Sequence, residues 1–300
     1  MISLTQQSKR IQSASYISHY ETVFACPICQ SSMKVLEFKS LICTNHHTFD
    51  FAKQGYINLT THPVKVNYSK ELFEARRKLI TEAAFYEPLI EAIVKVIHHY
   101  FAGTKGTLAI LDTGCGEGSH LSLIYEKIRS NFFNKVVGVG IDLSKEGIMV
   151  AAKNYSKQIW AVADLANTPF KDSQFDVILN ILSPSNYAEF NRLLKSDGVV
   201  IKISPQSGYL KELREHLFIE PEKQNYSNAE IVDRFNASFR FVENTRVTYT
   251  ANLNQSAIQW LVAMTPLTWN ANEEVVKTFL KRESAEITVD LDILIGKKHL

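Results

Sequence analysis

Three apolar runs in the middle of the chain each end on an aspartate, and this repetition constrains the fold more than any other feature. They are LAILD (108–112), VVGVGID (136–142) and IWAVAD (159–164). Short runs that are apolar throughout, rather than alternating, read as strands buried on both faces. Between the first two lies a glycine-dense turn, TGCGEG, and then SHLSLIYEKI with helical spacing. FDVILNIL (175–182), the helical YAEFNRLLK and DGVVIKISP (197–205) add two more strands and a helix. Such strand–helix alternation predicts an α/β fold, a largely parallel sheet with helices on both faces. Two late segments alternate with period two: Val247, Tyr249, Ala251, Leu253, and Ile287, Val289, Leu291, Ile293, Ile295. They predict an antiparallel pair closing one edge of the sheet.

Ligands of open α/β sheets sit at the carboxyl ends of the strands, where the three aspartates fall. Glycines 114, 116 and 118 let the backbone pass close beneath a ligand at a helix start. The turn lacks the Gly-Lys-Ser/Thr of a phosphate-binding P-loop, and Ser119 stands where the dinucleotide fingerprint needs its third glycine. Its pattern DxGxGxG, Asp112 to Gly118, instead resembles the first motif of S-adenosylmethionine-dependent methyltransferases, where the turn underlies the cofactor's amino-acid part. On that resemblance Asp142 is placed to accept from both ribose hydroxyls. Asp164 is placed to accept from the adenine amino group. Capping the helix that follows, a role shared with Ser144, is the alternative for Asp142.

Three of the four cysteines lie in CPICQSSMKVLEFKSLICTNHH, residues 26–47. Cys26-x2-Cys29, thirteen residues, then Cys43-x3-His47 has the spacing of a tetrahedral metal site. The x3 spacing selects His47 over the adjacent His46. Thiolates and imidazole suit Zn2+, and four protein ligands leave no open position, so the expected site is structural. MKVLEFKSLI reads as a hairpin joining the two turns. A module this small draws on the order of 10 kcal/mol of folding energy from its zinc. Buried free cysteines are the plain alternative.

Composition bounds the remainder. Three hundred residues, 45% of them apolar, fill two domains or one domain with an appendage. The net charge is only +2, yet residues 1–80 carry ten Lys/Arg against five Asp/Glu, a surplus of +5. A basic front end points to a polyanionic partner, with an ordinary solvated surface as the alternative. No apolar run approaches the ~20 residues that span a bilayer. Residues 1–20 lack the apolar core of a signal peptide, so a frayed N-terminal extension (1–22) and a cytoplasmic protein are expected. A reducing cytoplasm favours metal ligation over disulfides. A zinc-binding domain over 23–60 is followed by a polar link near 60–70, where His62-Pro63 discourages helix. Helical spacing then starts at Glu71 (Leu72, Ala75, Leu79, Ala83) and restarts at Pro88 (Leu89, Ile93, Val96, Ile97, Tyr100). Two helices meeting near Tyr86 form a helical linker region (61–105) before a domain over 106–300.

Taken in order, several longer segments make the resemblance specific. They are CPIC…CTNHHTFDFAKQGYINL, FEARRKLITEAAFYEPL, LDTGCGEG, IDLSKEGIMVAAK, ILSPSNYAEFNRLLKSDG and MTPLTW (264–269). Along most of its length the chain resembles the 23S rRNA guanine-N1 methyltransferases of the RlmA type. SPSNYAEFNRLL lies nearer to the second subgroup, which is tied to macrolide (tylosin) resistance. The resemblance implies a class I (Rossmann-like) methyltransferase sheet with a small N-terminal zinc-binding β domain. It also implies S-adenosyl-L-methionine and Zn2+ as cofactors, and a guanine in a 23S rRNA hairpin loop as the substrate. A homodimer whose zinc modules shape an RNA cleft belongs to the same implication. The family's cofactor contacts fall on Tyr86, Gly116 and Glu117, within a turn that also includes Asp112, Gly114 and Gly118. Tyr209, in SGYLKELR, stands where the family has histidine; it can donate a hydrogen bond but carries no charge at neutral pH. Asn180 and Ser183 of NILSPS are candidates to hydrogen-bond the base, with turn-building as the alternative. The target nitrogen must lose a proton, and no residue is singled out as its acceptor. Two rivals share these residues: a small-molecule methyltransferase with a structural zinc module, and a non-catalytic RNA-binding protein with a vestigial pocket.

Overall fold

The computed structural model describes residues 8–63, 68–133, 135–220 and 226–298; residues 1–7 of the expected extension and 64–67 of the polar link lie outside them. Five strands form the parallel body: β5 (Leu108–Thr113), β6 (Val136–Asp142), β7 (Ile159–Val162), β8 (Phe175–Ile181) and β9 (Leu194–Pro205). They lie in the order β9-β8-β5-β6-β7, so the chain reverses its direction of strand addition at β5. That reversal opens a crevice at the strand ends, where this class of sheet binds ligands. Asp112 pairs in register with Gly140 and Leu179, and Asn180 with Lys202, so the polar residues gather along one edge.

The late alternating segments are β10 (Arg240–Asn254) and β11 (Ser284–Lys297), antiparallel to each other, with β11 antiparallel to β9. At the opposite edge a two-residue strand, β4 (Ile57–Asn58), runs parallel to β7. The end of the segment read as the zinc-binding domain is therefore built into the main sheet. Before it come β1 (Met33–Leu36), β2 (Ser40–Cys43) and β3 (Thr48–Asp50), an antiparallel three-stranded ribbon.

Helices cover both faces. Among the described residues the predicted pair is α2 (Lys70–Thr81) and α3 (Glu87–Phe101), with Tyr86 at the N-cap of α3 and Pro88 in its first turn. The apolar stripe of α3, including Leu89, Ile93 and Ile97, is buried with α4 (Ser119–Asn131) and helix Gln255–Met264 against one sheet face. Residues 70–101 are thus a layer of the body rather than a loose link. The opposite face carries α6 (Tyr187–Leu193), helix Ala229–Ser238 and the ribbon, with Phe24 against Phe170 at 5.4 Å between ring centres.

The frayed extension is not what the chain forms from Ser8 onward. Residues Lys9–Ser18 make α1, capped by Ser8, with Ala14 and Ile17 completely buried and the Ser13 hydroxyl donating to the Gly55 carbonyl at 2.5 Å. Its buried side is narrow, Ala14 and Ile17, in a segment that local sequence reads as polar. Contact with β1 and β7 supplies the burial that stabilises so short a helix.

Candidate active site and metal site

The glycine turn is pinned from below. Gly114 and Cys115 donate their N–H groups to the Ile141 carbonyl at 2.9 and 3.0 Å. Gly114 and Gly116 adopt φ of +70° and +58°, which side chains disfavour. A Cβ at 114 would lie 2.7 Å from that of Ser183, and one at 116 would collide with the Arg76 guanidinium. Backbone here therefore approaches both the loop after β8 and the side chain of α2. Gly118, also left-handed, starts α4.

Asp142 reaches the cavity but is already committed. One oxygen accepts from Gly116 N–H at 2.8 Å and the other from Ser144 N–H at 2.7 Å, while the Ser144 hydroxyl caps α5 (Lys145–Asn154). The capping alternative and the ligand role thus meet in one carboxylate. Asp112 and Glu117 are buried behind the turn and do not form its wall. Glu117 pairs with Arg76 at 3.1 Å, and Arg76 also donates to His120 Nδ1 at 3.3 Å. Arg76 was not among the sequence candidates, although FEARRKL contained it; a lone arginine on a helix gives no sign that its helix will fold over the glycine turn.

Electrostatics favour a cationic guest. Three carboxylates, Asp112, Glu117 and Asp142, share one guanidinium. Burial raises Asp112 to about 7, with Asp142 and Glu117 pushing the same way and Arg76 opposing. Burial raises Asp142 too, against the two N–H donors that favour its charged form. His120 is held well below its usual value by burial and by Arg76, so it is neutral. A buried excess of acid beside the cavity fits the sulfonium and ammonium of S-adenosylmethionine.

The cavity holds about 710 Å³. Its lining includes Gly114, Gly116, Asp142, Arg76, Ala163 and Leu165. Tyr86 and Tyr209 share the wall, their hydroxyls 2.5 Å apart, so Tyr209 does enter the site where the family's histidine is expected. Asp164 does not: it turns away to accept from Ala166 N–H at 2.8 Å, and its neighbours Ala163 and Leu165 face the cavity instead. A carboxylate at a strand end is as well suited to closing a turn as to binding a ligand, and here it closes the turn. Asn180 is likewise withdrawn. Completely buried, its amide donates to Ser183 Oγ and the Pro184 carbonyl at 2.7 and 2.8 Å, which shapes the loop rather than contacting a ligand. Ser183 and Pro184 do line the cavity, as do Lys202, Met264 and Trp269. At the rim Tyr68 and Trp269 lie with ring centres 5.7 Å apart, both substantially exposed.

Cys26, Cys29, Cys43 and His47 bring their ligand atoms within 4.8 Å of one another. Cys29 and Cys43 sulfurs are 3.7 Å apart, and His47 Nδ1 is 3.5 Å from the sulfurs of both Cys26 and Cys43. A tetrahedron with zinc–sulfur bonds of ~2.3 Å has edges of ~3.8 Å, close to these three distances, so the donor set fits zinc. His46, with φ of +64°, supplies the turn, and His47 supplies the ligand.

A family model for the RlmA N-terminal zinc ribbon matches residues 24–70, and one for a methyltransferase domain matches 104–260. YxjB of Bacillus subtilis (strain 168), which carries the name of a 23S rRNA (guanine-N(1)-)-methyltransferase, is 50% identical over 92% of this chain and 98% of its own. The 23S rRNA (guanine(748)-N(1))-methyltransferase of Streptomyces fradiae is 29% identical over 83% of this chain and 86% of its own. Among solved structures, the plantazolicin methyltransferase BpumL in complex with SAH covers 77% of this chain and 95% of its own, with 17% identity and a TM-score of 0.44. With its zinc ligands assembled and its glycine turn set against a buried acidic pocket, this chain belongs to the family of S-adenosylmethionine-dependent 23S rRNA (guanine-N1)-methyltransferases that carry an RlmA-type zinc ribbon.

Proposed function

We propose that this chain methylates ring nitrogen 1 of a guanine in a hairpin loop of 23S rRNA, holding the cofactor with Tyr86, Gly114, Gly116, Asp142 and Arg76. The observation that carries the reading is one cavity that brings the glycine turn and Asp142 together with Ser183, Pro184 and Lys202, with Tyr68 and Trp269 also in its lining. Bound S-adenosylmethionine supplies an electrophilic methyl group, so the chain's own task is alignment and proton management. Asp112 and Glu117 support the turn from behind through charge, and Tyr209 orders Tyr86 through their shared hydrogen bond. Gly118 sets the start of α4. Tyr68 and Trp269 offer apolar faces to a base that has left its stack.

The zinc ribbon is read as the RNA-holding module. Lys34, Lys53, Ile28 and Phe38 are exposed on or beside it, a mixture of charge and apolar surface suited to an unpaired loop. Part of the basic surplus is spent internally, since Arg76 and Arg77 pair with Glu117, Glu74 and Glu82. A homodimer would set two ribbons about one RNA. Among the described residues no helix is long and apolar enough to cross a membrane, and a ribosomal substrate puts the site of action in the cytoplasm. The S. fradiae relative makes guanine 748 the first position to map.

The test is methyl transfer from labelled cofactor to unmodified 23S rRNA fragments, with free nucleosides as control and the product located by mass spectrometry. Appearance of 1-methylguanosine at one loop position is the expected result. Labelling of nucleosides alone, or cofactor binding with no turnover, would overturn the reading.

A further inference from the structure

One buried charge-bearing group in the cavity has no role so far. Lys202, on β9, is 5% exposed and lines the cavity together with Ser183 and Pro184. Its Nζ donates to Asn180 Oδ1 at 2.7 Å and to the Ser183 carbonyl at 3.4 Å. Among the described residues it forms no ion pair. β8 faces it with Asn180, and the acid on the adjoining β11, Asp292, already accepts from Gln206 and Asn228. Glu230, Asp233 and Arg234, on the helix that brings Ile231 to the cavity, point to solvent.

This environment favours the neutral amine more than water does. A neutral Nζ has two N–H bonds and one lone pair, and two acceptors are in place, which leaves the lone pair at the remaining corner. An ammonium would carry a third N–H with no partner among the described residues. Burial alone pulls the group down to about 8. A sulfonium in the same cavity would disfavour a second cation further. Its acceptor Ser183 also abuts the glycine turn, as the short approach to Gly114 shows, so the amine lies beside the place where the two substrates must meet.

We infer that Lys202 is the general base of the reaction, taking the proton from guanine N1. The inference rests on the guanine-N1 reading above. The N1–H bonding pair stays on nitrogen while the proton moves to Nζ. That pair then forms the N1–CH3 bond as the C–S pair returns to sulfur, and the cofactor leaves as a neutral thioether. The proton on Nζ passes to water when the methylated loop departs. Asn180 and the Ser183 carbonyl, which orient the amine, become positioning groups, and this gives the loop-building role of Asn180 a purpose in catalysis.

The experiment is single-turnover methylation from pH 6 to 9 by the wild type, Lys202→Met and Lys202→Arg, at saturating RNA and cofactor so that titration of Asp112 at the cofactor end does not enter. In the wild type the rate should rise about tenfold per pH unit and level off near pH 8. Both variants should be at least ~100-fold slower at pH 8 and show no levelling, with cofactor affinity by calorimetry within about threefold of wild type. Arginine cannot give up its proton, so a Lys202→Arg rate near wild type overturns the inference while leaving the guanine-N1 reading intact. A wild-type profile with no levelling overturns it as well, even if Lys202→Met proves unfolded. Failure of the wild type to make 1-methylguanosine overturns both readings together.

Discussion

Replacing Arg76 with methionine isolates the electrostatics of the cofactor end. Glu117 is completely buried and its partner guanidinium is 17% exposed, so removing the guanidinium strands a carboxylate with Asp112 and Asp142 nearby. Breaking a buried pair in this way costs about 3–5 kcal/mol. Urea denaturation of zinc-loaded protein at pH 7 should therefore show Arg76→Met destabilised by about 3–5 kcal/mol. The double variant Arg76→Met/Glu117→Gln should regain most of that loss, because it leaves no stranded charge at 117. A loss under about 1 kcal/mol, or a double variant no more stable than Arg76→Met, would refute the reasoning.

Three further outcomes are expected. Asp112, raised to about 7 by burial, should bind the cationic cofactor better once ionised; affinity measured by calorimetry should climb from pH 6 to 8, and Asp112→Asn should remove the climb while stabilising the ligand-free protein at pH 8. Cys26→Ser, or stripping the zinc, should weaken binding to a 23S rRNA loop fragment by at least tenfold and cofactor binding by less than threefold, read by fluorescence anisotropy and calorimetry. Trp269→Ala, which removes a half-exposed ring from the rim, should raise the KM for RNA by about tenfold, in line with ~1–3 kcal/mol per stacked base, and leave cofactor affinity unchanged.

The alternation of buried strands and amphipathic helices, the four zinc ligands, the break between two helices at Tyr86 and the antiparallel edge were all legible in the chain. Each depends on local spacing: ligand intervals of two and three residues, apolar periods of two and 3.6, and glycines where φ is positive. Such patterns are set by covalent geometry and by which face must leave water, so they survive without knowledge of the rest of the fold.

Tertiary structure decided what each polar group does. Asp142 and Asp164 end similar strands, yet one holds the glycine turn at the cavity and the other closes a turn outside it. Arg76 comes from a helix some forty residues before its partner Glu117, and α1 is buried by residues distant in sequence, on β1, on β7 and at Gly55. Lys202 reads in sequence as one polar residue in an apolar strand, and only pairing with β8 provides the two acceptors that hold its amine. The physical reason is that hydrogen bonds and charges act over a few ångströms in space, and a chain of 300 residues brings those neighbours together only when it folds.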